Sequence, residues 1–166
     1  KKLNTQGAGI FVCVNQTDLA GRKSENIKRV RAVFADLDGA PLQTVLEFEL
    51  TPHVIVQTSP GHFHVYWLVK DLELDHFNKI QRQIADRFQS DASVTDLPRV
   101  MRLPGFNHLK GNPFLVRLHS LDDKKPYNAA KIKNIFPIIA AGSTHVAKAV
   151  RNNEISDLVH DALEHV

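Results

Sequence analysis

Three short stretches of this 166-residue chain combine residue types that could do chemistry. The first is Asp36-Leu37-Asp38, which ends the apolar run Ala32-Val33-Phe34-Ala35. Strand side chains alternate between faces, so positions i and i+2 put both carboxylates on one side. Two converging carboxylates repel unless a cation lies between them, and hard oxygen ligands suit Mg²⁺ or Mn²⁺. The second is Thr58-Ser59-Pro60-Gly61-His62-Phe63-His64-Val65-Tyr66-Trp67, where His62, His64 and Tyr66 share one strand face. It reads either as a His-x-His metal site or as a histidine that donates to a phosphate beside Ser59 and the turn backbone. The third runs from Ser90 to Lys110 and sets Asp91 and Asp96 before a strand bearing Arg99 and Arg102. A Pro104-Gly105 turn and the donor-rich tip Asn107-His108-Leu109-Lys110 follow. The plain alternatives are a solvated strand end, two exposed histidines on a hairpin, and a salt bridge from Arg99 to Asp96. Arg99 and Arg102 are separated by an odd number, so a regular strand turns them to opposite faces.

The elements that must position these residues follow from hydrophobic patterning. Gly9–Asn15, Val30–Asp38, His53–Thr58 and His62–Val69 read as strands, and Ser59-Pro60-Gly61 makes the last two a hairpin. Thr17–Asn26, with Arg22 and Lys23, reads as a loop. Leu72–Gln89 is the clearest helix: Phe77, Ile80, Ile84 and Phe88 form one stripe, with Asp71 or Asp75 as the N-cap. Short helices are expected over 42–49 and Ala129–Ile135, and short strands over Arg99–Leu103 and Phe114–His119, around the Pro104-Gly105 turn. Strands and helices mix without strict alternation. The fold class is therefore α+β, a small mixed or antiparallel sheet flanked by helices. A small-residue break, Ala140-Ala141-Gly142-Ser143-Thr144, separates a domain over 1–139 from a linker and C-terminal helix over 140–166, the possible start of a further module.

The formal net charge of +3 conceals blocks of opposite sign. Residues 1–31 carry +5, residues 32–96 carry −6, residues 97–133 carry +6 and residues 134–166 carry −2. An acidic, metal-binding centre between basic segments that hold a polyanion accounts for that order; solvated faces are the plainer alternative. The composition, 43% hydrophobic and 23% charged, excludes collagen-like and disordered classes. No apolar run approaches the roughly 20 residues of a membrane span, so no membrane partner is expected. A single cysteine, Cys13, excludes an internal disulfide and a Cys-rich zinc site, and points to a reducing cytoplasm. No Gly-x-x-x-x-Gly-Lys-Ser/Thr loop is present, so this chain carries no P-loop motor.

Taken together, these blocks resemble the RepB-like primases of phages and plasmids, within the archaeo-eukaryotic primase (primase-polymerase) superfamily. The matching stretches are Arg29-Val-Arg-Ala-Val-Phe-Ala-Asp36-Leu-Asp38-Gly, then Thr58-Ser59 through Trp67, then Ser90-Asp91 through Lys110. Phe11-Val-Cys-Val-Asn15 through Arg22-Lys23 resembles the family's lead-in, so the likeness spans roughly residues 8–120 in the family's order. The resemblance implies template-directed nucleotidyl transfer, making primers on single-stranded DNA from NTPs or dNTPs by two-metal catalysis with Mg²⁺ or Mn²⁺. It makes Asp36, Asp38 and Asp91 the metal-binding acids and gives His64 and Ser59 to the nucleotide phosphates. Arg99 or Arg102, with Lys110, would neutralise the triphosphate or the template, and Arg22 and Lys23 are candidate DNA contacts. His62 receives no role. Ser90 stands where the family usually has an apolar residue before its third acid, which keeps Asp96 in competition with Asp91. A phage or plasmid origin in a bacterial cytoplasm, and a helicase module in the same or another chain, are further implications.

Two other readings compete. His62-Phe63-His64 has the His-hydrophobe-His form of rolling-circle (HUH) replication nickases, which need a tyrosine nucleophile. Here only Tyr66 and Tyr127 exist, and that reading leaves the aspartates without work. A non-catalytic nucleic-acid-binding module is the other, and it should be indifferent to loss of Asp36 and Asp38.

Overall fold

The structure, a computed structural model, describes residues 1–138. The expected break and helix over 140–166 lie outside the described residues. In chain order the elements are α1 (Lys2–Thr5), β1 (Phe11–Cys13), β2 (Gln16–Thr17), β3 (Ile27–Arg29), β4 (Ala32–Asp38) and α2 (Gln43–Leu46). They continue with β5 (Val54–Ser59), β6 (His62–Lys70), α3 (Leu74–Phe88), β7 (Val100–Arg102) and β8 (Asn107–His108). The remainder are β9 (Phe114–Leu115), β10 (Arg117–Leu121), β11 (Tyr127–Asn128) and α4 (Ala129–Ile135).

A five-stranded mixed sheet is built around β6, which pairs antiparallel with β4 and β5 and parallel with β11, while β10 pairs antiparallel with β5. The β5–β6 hairpin closes on Pro60-Gly61, where Gly61 adopts φ +78°, the positive value that the second central residue of a type II turn needs. On one face of the sheet Val33, Leu37, Val65 and Trp67 are fully buried beneath Phe77, Ile80, Ile84 and Phe88 of α3. Trp67 stacks on Phe88 with centroids 5.4 Å apart, and its indole N–H donates to the Leu50 carbonyl at 2.7 Å. The stripe read from the sequence is thus the core face of α3. The opposite face carries Asp36, Asp38, His62, His64 and Tyr66.

Two expectations are corrected. Neither Asp71 nor Asp75 caps α3: the N-cap is Glu73, Asp75 sits in the first turn, and Asp71 takes φ +59° as the chain leaves β6. The strand read as Val30–Asp38 forms as β4 but starts two residues later, at Ala32, because the Arg31 amide is turned to the Asn15 side chain, to which it donates at 3.0 Å. The expected strand at 99–103 does form, as β7. It pairs with β1 across the chain rather than with the 114–119 segment, Phe11 lying opposite Arg102.

One side chain seals the sheet. Gln81 of α3 is 1% exposed. Its Oε1 accepts from the Phe34 amide at 2.9 Å, and its Nε2 donates to the Phe34 carbonyl at 3.1 Å and to the Val94 carbonyl at 3.3 Å. Further along β4, the Asp91 amide donates to the Asp36 carbonyl at 3.0 Å. Both contacts occupy backbone groups of β4 that β6 does not pair, as buried peptide groups require.

Candidate active site

Strand register brings the acids and histidines together. Asp36 lies opposite His64 and Asp38 opposite His62, and in an antiparallel pair directly opposed residues share a face. They floor a cleft of about 720 Å³ whose lining also includes Thr58, Ser59, Arg102, His108 and Lys110. A smaller recess of about 180 Å³ adjoins it, lined by Asp36, His64, Phe11, Arg99 and Arg102 among others.

Asp36 is the cleft acid whose carboxyl is pushed upward. Burial, then the charges of Asp38 and Asp91, push its carboxyl up to about 6, against opposing pulls from Arg99 and His62. His64 stands 3.7 Å from it, Nε2 to Oδ1. Burial, with Arg102 and His108 nearby, pushes that imidazole down to about 3, so the contact is not an ion pair at neutral pH. Tyr66 lies 3.3 Å from His64 Nδ1, and burial, then Asp36, raises its phenol so that it keeps its proton. A neutral ring accepting there carries its one proton on Nε2, toward Asp36 and the cleft; this tautomer is assigned from the hydrogen-bond partners. His62 bridges two neighbours: Nδ1 meets Ser59 Oγ at 2.6 Å and Nε2 meets Asp38 Oδ1 at 2.9 Å. Asp38 is 74% exposed there, so the contact orients groups more than it stabilises the fold.

The remaining residues divide. Arg102 and Lys110 reach the cleft, with the Arg102 guanidinium 4.9 Å over the Phe11 ring. Arg99 reaches only the recess: its Nε donates to Asp96 Oδ1 at 2.6 Å and its Nη2 to the Ser93 carbonyl at 2.6 Å. Asp96 is therefore neutralised by Arg99. Asp91 does not line the cleft, and its Oδ1 accepts from the Ser93 amide at 2.8 Å. Its peptide is nevertheless held on Asp36, and its charge is felt there. Arg22 and Lys23 are exposed and line neither cavity. Among the described residues, no group of three or more His, Cys, Asp or Glu side chains is gathered as a metal cage.

His108 is a cleft residue that sequence reasoning passed over, although the donor-rich tip contains it. Its Nδ1 lies 3.1 Å from the Thr58 carbonyl, which can only accept, so Nδ1 carries a proton. Its Nε2 is buried with no partner among the described residues. Asn4 holds this tip: its Oδ1 accepts from the Asn107 amide at 2.8 Å, and its Nδ2 donates to the Asn107 carbonyl at 2.9 Å.

No curated protein matches the chain by sequence. The archaeo-eukaryotic primase domain of the cyanophage S-2L primase-polymerase superposes with a TM-score of 0.69 at 20% identity, covering 82% of this chain and 74% of that one. Primase RepB′ superposes at 0.60 and 17% identity over 98% of this chain; this chain spans about half of it, 52%. The catalytic domain of primase RepB′ in complex with initiator DNA superposes at 0.59 and 19% identity, covering 91% of this chain and 73% of that one. These likenesses establish a shared α+β primase-type fold. The model of the RepB DNA-primase N-terminal domain matches residues 21–140, most of the chain, and the chain belongs to that family.

Proposed function

We propose that this primase domain makes primers on single-stranded DNA by nucleotidyl transfer, with Asp36, Asp38 and Asp91 as the acids that hold Mg²⁺ or Mn²⁺. The observation that carries the reading is the β4–β6 register, which sets an acid pair on the floor of a cleft walled by Arg102, His108 and Lys110. The donor set fits the ion. Mg²⁺ takes oxygen ligands, keeps several waters and is commonly held by one or two carboxylates plus substrate phosphates, so a closed protein cage is not required. The raised Asp36 carboxyl supports this, since a cation relieves the repulsion that burial and two neighbouring acids impose. When bound, the ions supply charge neutralisation at the phosphates and lower the pKa of the attacking hydroxyl.

The chain's own residues account for the rest. His64, with its proton on Nε2, donates to a phosphate oxygen, and Tyr66 fixes that tautomer from behind. Arg102 and Lys110 hold the polyphosphate, and His62 with Ser59 orients Asp38. Arg99 is committed to Asp96 and serves the wall of the recess. Arg22 and Lys23 are further strand contacts, and a helicase partner and NTP or dNTP substrates complete the proposal. RepB′ primase crystallised with initiator DNA supports the DNA partner. Among the described residues no helix is long and apolar enough to cross a membrane.

Incubation with single-stranded DNA, labelled NTPs or dNTPs and Mn²⁺ should yield template-dependent products, and their absence would overturn the reading. The nickase alternative gains nothing from the geometry. The Tyr66 hydroxyl is turned to His64, and the Tyr127 hydroxyl donates to the Thr51 carbonyl at 2.9 Å. Tyr127→Phe should retain synthesis, Tyr66→Phe should retain it at a lower rate because His64 loses the partner that sets its tautomer, and neither should form a covalent DNA adduct. The third acid is tested by a matched pair. Asp91→Asn should lower synthesis by more than about 100-fold, as loss of a charge-stabilising group does. Asp96→Asn, which breaks only a part-exposed contact to Arg99, should cost less than about tenfold. A larger loss from Asp96→Asn than from Asp91→Asn would move the third acid to Asp96.

A further inference from the structure

The Asp36/His64 face of the sheet does not end at the cleft. Along β6, beyond His64, a second cavity of about 330 Å³ opens between the sheet and the β1 ribbon, lined by Val12, Val56, Tyr66, Leu68, Arg31 and Arg102 among others. A third, of about 300 Å³, follows at the end of β6, where Arg29, Arg31, Leu68 and Lys70 contribute to the wall. The cavities adjoin: Arg102 lines both the catalytic cleft and the second cavity, and Arg31 and Leu68 line both the second and the third. The three thus follow one another along one face of β6, from the acid pair to Lys70, and are taken together as one furrow.

Its chemistry changes along its length. The middle is apolar, and cations stand at intervals: Arg102, then Arg31, then Arg29 and Lys70. Among the described residues none of these four is ion-paired to a carboxylate. Asp71 is the one acid in the distal cavity. Arg31 spends Nε and one Nη on the Val14 and Cys13 carbonyls, at 2.9 and 2.8 Å, which fixes its guanidinium in place. From His64 to Lys70, at about 3.3 Å per strand residue, the furrow is on the order of 20 Å long. A mononucleotide does not fill that. An apolar floor for base faces flanked by unpaired cations is what a single nucleic-acid strand requires.

We propose that this furrow is the path of the single-stranded DNA template, with bases over the Val56/Tyr66/Leu68 floor and phosphates on Arg31, Arg29 and Lys70, the strand reaching the polyphosphate site at Arg102. The assignment rests on the reading of the acid-pair cleft as the nucleotidyl-transfer site. It places the entry of the strand at the Arg29/Lys70 end, far from the chemistry.

The test reverses Arg29 and Lys70, which are exposed and distant from the acids, as R29E/K70E. The control K79E/R82E makes the same charge change on exposed positions of α3, behind the sheet. Anisotropy of a labelled oligothymidylate should show R29E/K70E binding at least tenfold more weakly at low salt. Its log–log salt slope should be shallower by roughly 1.4, two single-strand phosphate contacts at about 0.7 each. K79E/R82E should change affinity less than threefold, and both variants should bind a labelled nucleotide with Mn²⁺ as the wild type does. In the unmutated chain, a 4-thiothymidine strand should crosslink to peptides containing residues 12–14 or 29–31. Equal weakening in both variants, or crosslinks confined elsewhere, would overturn the path. Primer synthesis with binding insensitive to R29E/K70E sinks the path and leaves the catalytic reading standing. Furrow-dependent binding without any product does the reverse.

Discussion

Asp36→Asn is expected to lower metal-dependent primer synthesis by at least about 1,000-fold, the loss of several kcal/mol of charge stabilisation, while making the metal-free domain more stable above pH 6. The second effect follows from linkage. The carboxyl titrates near 3.8 when solvated and near 6 in the fold, chiefly because burial and then Asp38 and Asp91 oppose its charge. A carboxyl raised in this way costs nothing below about pH 4, where both states are protonated. Folding stability falls as pH climbs from about 4 to 6 and stays lowered above that, by on the order of 1–3 kcal/mol. The asparagine keeps the shape and removes the charge, so the melting temperature at pH 7.5 should rise by several degrees. His64 acts in the opposite sense: its folded pKa of about 3 means that stability falls as pH drops below its solvated value of 6.5. Melting curves of wild type and variant at pH 5 and 7.5, with and without Mn²⁺, separate the two. Mn²⁺ should stabilise the wild type at pH 7.5 and leave the asparagine variant nearly unmoved. A variant less stable than wild type at pH 7.5 without metal would contradict the account.

Gln81→Leu is expected to destabilise the domain by about 3 kcal/mol, since it strips partners from both peptide groups of a buried strand residue at about 1–3 kcal/mol each. For a domain of this size that is a fall of roughly 10 °C in melting temperature. Leucine matches the volume and the helix propensity, so the loss isolates the amide. The damage should be local first. Phe34 precedes Asp36 by two residues on the same strand, and the Asp91 amide is tied to that strand at Asp36. Loosening this edge therefore also blurs the placement of the acids, and kcat should drop with little change in nucleotide affinity. Hydrogen exchange is the direct measurement: the Phe34 amide should lose protection by at least tenfold relative to Val65 in the sheet centre. Unchanged protection would show that some other group satisfies the edge.

The sequence exposed what depends on local periodicity. Alternation placed Asp36 with Asp38 and His62 with His64, and the 3.6-residue stripe gave the core face of α3. It hid what depends on long-range partners. A buried glutamine inside an amphipathic helix looks like any other polar position until β4 lies beside it. The pairing of β1 with β7, Phe11 opposite Arg102, joins segments about ninety residues apart, and nothing in either segment names the other. His108 was passed over because a histidine in a Gly/Asn-rich turn looks solvated, whereas Thr58 and the tip pinned by Asn4 leave it half-buried with its Nε2 out of solvent. The capping of α3 misled for a local reason. Asp71 is a reasonable N-cap by type, but the turn out of β6 needs a positive φ there, and Glu73 starts the helix instead.

The β1–β7 ribbon also has a consequence for the order of assembly. The β5–β6 hairpin joins neighbouring segments and β4 adds to it within one short excursion, so the acids and histidines can meet early. The strand carrying Phe11 must wait until Arg102 has been made, and non-local pairing of this kind is slow because loop closure precedes any reward. Arg31, whose guanidinium grips the Cys13 and Val14 carbonyls across a short span, can keep β1 near its place in the interval. Refolding should then show two phases: the histidine floor protected in the first, and the Arg102 wall closing in the second. A newly made chain would own its acid pair before the Arg102 wall closed beside it.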